Sequence, residues 1–142
     1  MRRVIILFII VSLPFSLVAC NKNDISEDLI IDIGESTKFT KEEISKAIDL
    51  VKGDFSFPAA TLTKIWYDEE KSKSFTTLYL KYGRGSVNGV ESENVIILLS
   101  DFYVDDSGDN PVLNRDSTYT NFQWILIRDN KTRDWIIDDF GY

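Results

Sequence analysis

The chain has 142 residues, with 16 Lys+Arg against 23 Asp+Glu, a formal net charge of −7 and 44 % apolar residues. That is long enough for one domain with its own core and short for two. The acidic balance argues against a nucleic-acid partner, which needs basic patches to displace counterions. The absence of histidine removes Ser-His and Cys-His nucleophilic pairs, His-ligated zinc and histidine general bases.

The first twenty residues read as an export signal. Arg2 and Arg3 form a positive start, and residues 4–18 are apolar apart from Ser12, Pro14 and Ser16. As a helix this run measures about 22 Å, short of the roughly 30 Å hydrocarbon core, and Pro14 weakens it further. Leu17-Val18-Ala19-Cys20 resembles the lipobox of bacterial lipoproteins. That resemblance implies cleavage before Cys20, the chain's single cysteine, and attachment of lipid to its thiol. Each buried methylene contributes about 0.8 kcal/mol, so two or three acyl chains hold a protein stably at a membrane. The expected layout is a signal peptide over residues 1–19, a lipidated Cys20 with a tether over 20–36, and one domain over 37–142. Cleavage removes Arg2 and Arg3, leaving 14 basic against 23 acidic residues and a mature charge of −9. A domain so charged is repelled by anionic headgroups, so the lipid rather than the protein surface is expected to make the membrane contact. The expected location is the outer side of the cell membrane.

Within 21–36 the apolar patch at Leu29, Ile30, Ile31 and Ile33 is read as a docked segment rather than an edge strand. At Thr40 the signals sharpen. Thr40 and Glu43 have capping-box spacing, and Phe39 and Ile44 form a hydrophobic staple. Ile44, Ala47, Ile48 and Val51 recur at helical spacing. Gly53 suits a left-handed C′ position and Pro58 blocks continuation. A helix of about twelve residues follows.

Strands are expected next. Residues 61–67 (TLTKIWY) alternate and are rich in β-branched and aromatic types. Residues 69–82 fit helix or strand equally. Residues 83–89 (GRGSVNG) read as a loop and not as a phosphate loop, since Gly83 and Gly85 are not followed by a third glycine at the motif spacing and a Lys-Ser/Thr pair is missing. Residues 94–104 (NVIILLSDFYV) read as a central strand covered on both faces in its first half. Residues 119–128 form a strand with Phe122, Trp124 and Leu126 on one face, and 133–139 close a hairpin with it. The sum is α+β: an N-terminal helix packed on a curved antiparallel sheet.

Four segments carry a wider resemblance: residues 37–70, 93–108, 117–129 and 133–142. They resemble a group of small uncharacterised lipoproteins of Gram-positive bacteria and the nuclear-transport-factor-like (cystatin-like) superfamily, in which a curved sheet wraps a helix into a cone. That superfamily hosts enzymes, ligand binders and interaction modules, so the likeness implies a fold and leaves function open.

The residues singled out for function are few. Asp101 interrupts an apolar strand and in its odd register shares a face with Val95, Ile97, Leu99 and Tyr103. It is the best candidate acid if that face lines the cone; otherwise it marks where the strand leaves the core. Asp138 and Asp139 end the last strand, and alternation points them to opposite faces. Tyr103, Trp124 and Trp135, among the chain's aromatics, are candidates to line a ligand pocket. Asp105, Ser107 and Asp109 have the 1, 3, 5 spacing of a calcium loop, with Asp116 at position 12, but Asn110 replaces the expected glycine and strands flank the loop. No cofactor is expected.

The leading expectation is a non-enzymatic domain that binds a small ligand or an envelope protein. The alternative is an isomerase- or hydrolase-like enzyme using Asp101 or Asp138 with a tyrosine. A third reading is an interaction module with a filled cone.

Overall fold

A computed structural model describes residues 24–142, so the signal segment, Cys20 and the start of the tether lie outside the described residues. Among the described residues no helix is long and apolar enough to cross a membrane.

Helix α1 (Lys41–Asp54) starts where its chemistry demands. The Thr40 side chain accepts from the Glu43 N–H at 3.1 Å, and the Glu43 carboxylate accepts from the Thr40 N–H at 2.8 Å. Ile44, Ala47, Ile48 and Val51 are buried, as the periodicity predicts. The end differs from expectation. Gly53 lies inside the last turn, and the helix closes on Phe55 in an extended conformation. Phe55 turns inward because its ring is buried against Phe57, Phe102 and Trp124, a larger gain than a left-handed cap offers.

Five strands form one sheet in the order β1-β2-β3-β4-β5. They are β1 (Ile25–Asp32), β2 (Ala60–Trp66), β3 (Val95–Val104), β4 (Ser117–Ile127) and β5 (Ile136–Gly141). Strands β2 to β5 are antiparallel, whereas β1 runs parallel to β2. The apolar patch of residues 29–33 is therefore mostly an edge strand and not a docked segment. Pairing satisfies its backbone: the Leu62 N–H donates to the Asp24 carbonyl at 2.8 Å and the Tyr67 N–H to the Asp32 carbonyl at 3.0 Å. The sheet thus begins inside the stretch read from sequence as tether.

Residues 69–82, ambiguous in sequence, form helix α2 (Glu69–Tyr82), capped by the Asp68 carboxylate on the Lys71 N–H at 2.9 Å. Its buried face is Ser72, Thr76 and Tyr79, while Leu78 and Tyr82 are exposed. The Ser72 hydroxyl accepts from the Ile97 N–H of β3 at 3.1 Å. This second helix explains why Val95 to Ser100 are all buried. Ile96, Leu98 and Phe102 belong to the core with α1, and Val95 and Ile97 to a smaller cluster with Tyr79 of α2. The expected single helix on an antiparallel sheet is corrected to a helix on each face and a parallel edge strand. Residues 83–89 are likewise not all loop. They hold a one-turn helix α3 (Gly85–Asn88), ended by Gly89 at φ 74°. A β-carbon at Gly85 would come within 2.6 Å of the Tyr79 ring, so this approach requires glycine.

Candidate functional site

The chain leaves α1 through Phe55-Ser56-Phe57-Pro58. The Phe57 ring stacks on Trp124 at 5.7 Å and 14° and meets Phe122 edge-on at 5.6 Å. From β5, Phe140 packs on Trp124 at 5.4 Å and on Phe57 at 5.8 Å, yet stays 51 % exposed. The β3–β4 loop brings Pro111, Val112 and Leu113 to the same place. Asn110 holds it there: its amide donates to the Pro58 carbonyl at 2.8 Å, and its oxygen accepts from the Val112 and Leu113 N–H groups at 3.0 and 2.7 Å. The result is an open groove of about 400 Å³ whose walls are nearly all carbon, and its lining holds no ionisable side chain. Its floor is the outer surface of the buried aromatic stack.

At the other end of β4 lies a depression of the same volume and opposite character, lined by Lys46, Arg128, Lys131, Arg133 and Trp135 with Glu43 and Asp134. Arg128 is buried, donating to Glu43 at 2.7 Å and to Asn94 at 3.4 Å, with its guanidinium 4.3 Å from the Trp135 ring centroid. The Trp135 indole N–H donates to the Glu43 carbonyl at 3.1 Å. Burial pushes the Glu43 carboxyl up, but hydrogen bonds from the Thr40 backbone, Arg128 and the Thr40 hydroxyl, with the Arg128 charge, bring it below the usual carboxylate range. A third depression of about 370 Å³ runs between α2 and residues 37–38. There Glu69 is held at about 2 by hydrogen bonds from the Ser36 and Thr37 hydroxyls and the Thr37 and Lys38 N–H groups, which outweigh its desolvation. Burial lowers the Lys38 ammonium, which donates to the Ser92 and Val95 carbonyls at 2.6 and 3.3 Å.

The structure does not gather the residues singled out from sequence. Trp124 and Trp135 lie on the α1 side, Trp124 buried with its indole N–H donating to Ser100 at 2.9 Å. Asp101, Tyr103 and Asp138 lie on the α2 side of the sheet. Asp101 sits between two bulges: Thr63 of β2 and an extra residue of β4 interrupt the pairing on either side of it. Its carboxylate accepts from the Asn121 N–H at 2.9 Å, and its carbonyl accepts from the Thr63 hydroxyl at 3.1 Å. Asn121 has φ 57°, so Asp101 steadies a left-handed bulge residue where β3 emerges from under α2. Tyr103 donates to Asp116 at 2.7 Å on the surface.

Asp138 accepts from the Tyr79 hydroxyl at 2.6 Å, with Arg84 at 3.5 Å, and Tyr79 in turn accepts from Asn88 at 2.8 Å. This is a nearly buried carboxylate within reach of a tyrosine, the geometry an Asp/Tyr enzyme would need. Burial first, then donation to Asp138, pushes Tyr79 up to about 12, which makes it a poor acid at neutral pH. Neither residue lines the three depressions above. A bulge at Asp138 also breaks the expected alternation, because Ile137 pairs with Leu126 but Asp139 with Ile125. In the 105–116 loop, Asp105 accepts from the Ser107 N–H at 3.0 Å and Ser107 from the Asp109 N–H at 3.2 Å. Those turns commit side-chain oxygens to the loop's own backbone, and among the described residues no group of three or more acidic, His or Cys side chains could hold a metal.

Phe57, Phe122 and the loop prolines were not singled out as site residues in the sequence. The signal that could have found them is the adjacency of Phe57-Pro58 to a helix end, together with Pro111-Val112-Leu113, an apolar triplet inside an otherwise acidic loop.

These features define a small α+β domain with a helix on each face of a five-stranded sheet and an apolar groove at one end. The chain belongs to the family of the domain of unknown function DUF4829, which matches residues 36–141. No curated protein and no solved structure matches it.

Proposed function

We propose that this protein is an extracytoplasmic lipoprotein, held at the cell membrane by lipid on Cys20, whose domain is a non-catalytic receptor for an apolar group. The observation that carries the receptor role is the carbon-walled groove at Phe57, Phe122 and Phe140, backed by a packed aromatic stack. A site with one polar side chain, already spent on backbone, selects by shape and burial and has nothing with which to activate water or move a proton. In the cone reading, the α1 face is the interior. Phe55, Phe102 and Trp124 fill it, which leaves binding to its mouth.

The test is methyl NMR of the full mature protein on zwitterionic nanodiscs, titrated with indole as a water-soluble apolar probe. Saturable shifts of the Val112 and Leu113 methyls that vanish in Phe140→Ser are expected; no saturable shift would overturn the receptor role. Mass spectrometry of the same preparation is expected to find acylated Cys20 at the N-terminus, and a chain starting at Met1 or carrying a plain thiol would overturn the anchor.

A further inference from the structure

Strand β1 is parallel to β2, so the two begin at the same end of the sheet. Asp24 hydrogen-bonds Leu62 there, two residues into β2, and Pro58 of the groove lies just before β2 begins. Cys20 precedes Asp24 by four residues, a reach of at most about 14 Å even when fully extended. If Cys20 bears the lipid, the end of the domain that carries the groove is the end held against the bilayer. The Arg128 depression lies at the far end, about 20 Å along β4 from Phe122.

The charge around the groove is one-sided. Asp54, Asp106 and Asp109 are exposed and stand within four residues of its lining, and Arg115 is the nearby cation, folded over Gly108. An anionic bilayer surface is repelled by that rim, and a neutral apolar solute has no use for it. Apolar walls inside an acidic rim, on a mature chain of charge −9, complement one chemistry: apolar side chains displayed between cations. Resting on the proposed anchor and groove, we infer that the occupant is a cationic amphipathic peptide at the outer face of the membrane, its apolar side chains seated between Phe140 and Val112 and its cations facing Asp106 and Asp109.

The experiment uses the full lipidated protein on zwitterionic nanodiscs, with empty nanodiscs subtracted, and three labelled peptides of equal length: Lys/Leu amphipathic, Glu/Leu amphipathic and Lys/Ser. Only the Lys/Leu peptide is expected to bind saturably. Phe140→Ser and Val112→Ser should each weaken it by about tenfold through lost burial. Asp106→Asn with Asp109→Asn should weaken it about fivefold and flatten its salt dependence, since both carboxylates are exposed and screened by salt. Val112 is 84 % exposed, so its variant keeps the fold if Phe140→Ser does not. Equal binding of the Glu/Leu peptide, or Lys/Leu binding indifferent to Val112→Ser, would overturn the inference. Indole shifts that persist while the Lys/Leu peptide fails would sink this inference and leave the receptor reading intact; loss of both would sink the two together.

Discussion

Glu43 serves two elements at once. One carboxylate oxygen closes the capping box on Thr40, and the other takes the buried Arg128 guanidinium. Glu43→Gln keeps the shape but presents an amide N–H₂ to one of two donors, so either the helix start or Arg128 loses its acceptor. Removing one partner of a buried ion pair costs about 3–5 kcal/mol. Glu43 is 26 % exposed on its side chain, which admits water and reduces that figure, while Arg128 at 3 % stays dry. The expected loss is about 3 kcal/mol, and with a urea slope near 1.5 kcal/mol/M the midpoint falls by about 2 M. Thr40→Ala removes the cap alone and should cost about 1 kcal/mol. The pair also has a pH signature. The folded Glu43 carboxyl titrates below its unfolded value, so its stabilisation is present above the unfolded pKa, about 4.3, and is lost as pH falls through the folded one. The difference between wild type and Glu43→Gln should therefore shrink in acid. Urea melts at pH 7 and at pH 3 measure both. A midpoint shift under 0.5 M (about 0.75 kcal/mol at that slope), or one equal to that of Thr40→Ala, would refute the reasoning.

Three further outcomes are expected. Thr76→Val replaces a buried hydroxyl that lacks a partner with a methyl of the same shape, and should leave stability unchanged or raise it by up to about 1 kcal/mol; a loss of that size in a urea melt would contradict the packing described. Gly34→Ala should cost about 2 kcal/mol or more, because Gly34 has φ +67° and a β-carbon would meet the Tyr67 carbonyl at 2.6 Å, and thermal unfolding measures it. The neutral Tyr79 phenol stabilises the fold below its ordinary pKa near 10, and that contribution is lost as pH rises toward about 12. Tyr79→Phe should therefore show a shallower loss of stability between those values in alkaline urea melts.

The sequence carried the parts of the fold that depend on local chemistry. The cap at Thr40, the apolar face of α1, the covered central strand and the last hairpin are all written in spacing and residue type. Helix α2 was ambiguous because its buried face is Ser72, Thr76 and Tyr79, with little apolar periodicity to read. Its large apolar residues Leu78 and Tyr82 point outward. Strand β1 was misjudged because its polar, acidic composition is that of a tether, and a parallel partner on one side is enough to fix it. The groove was hidden for a different reason. Its walls come from an α1–β2 connection, a loop and two strands, and contacts between Phe57, Leu113 and Phe140 over such separations leave no trace in spacing.

The parallel edge strand bears on how the domain withstands force. A pull arriving from the N-terminal side enters at Asp24, at the first bond between β1 and β2. Sliding one strand along another strains many ladder bonds together, whereas peeling an edge from its tip opens them singly. On the proposed anchor and groove, both loads act at the same end of the sheet, so β1 would peel from its tip at Asp24 and is the element that gives first.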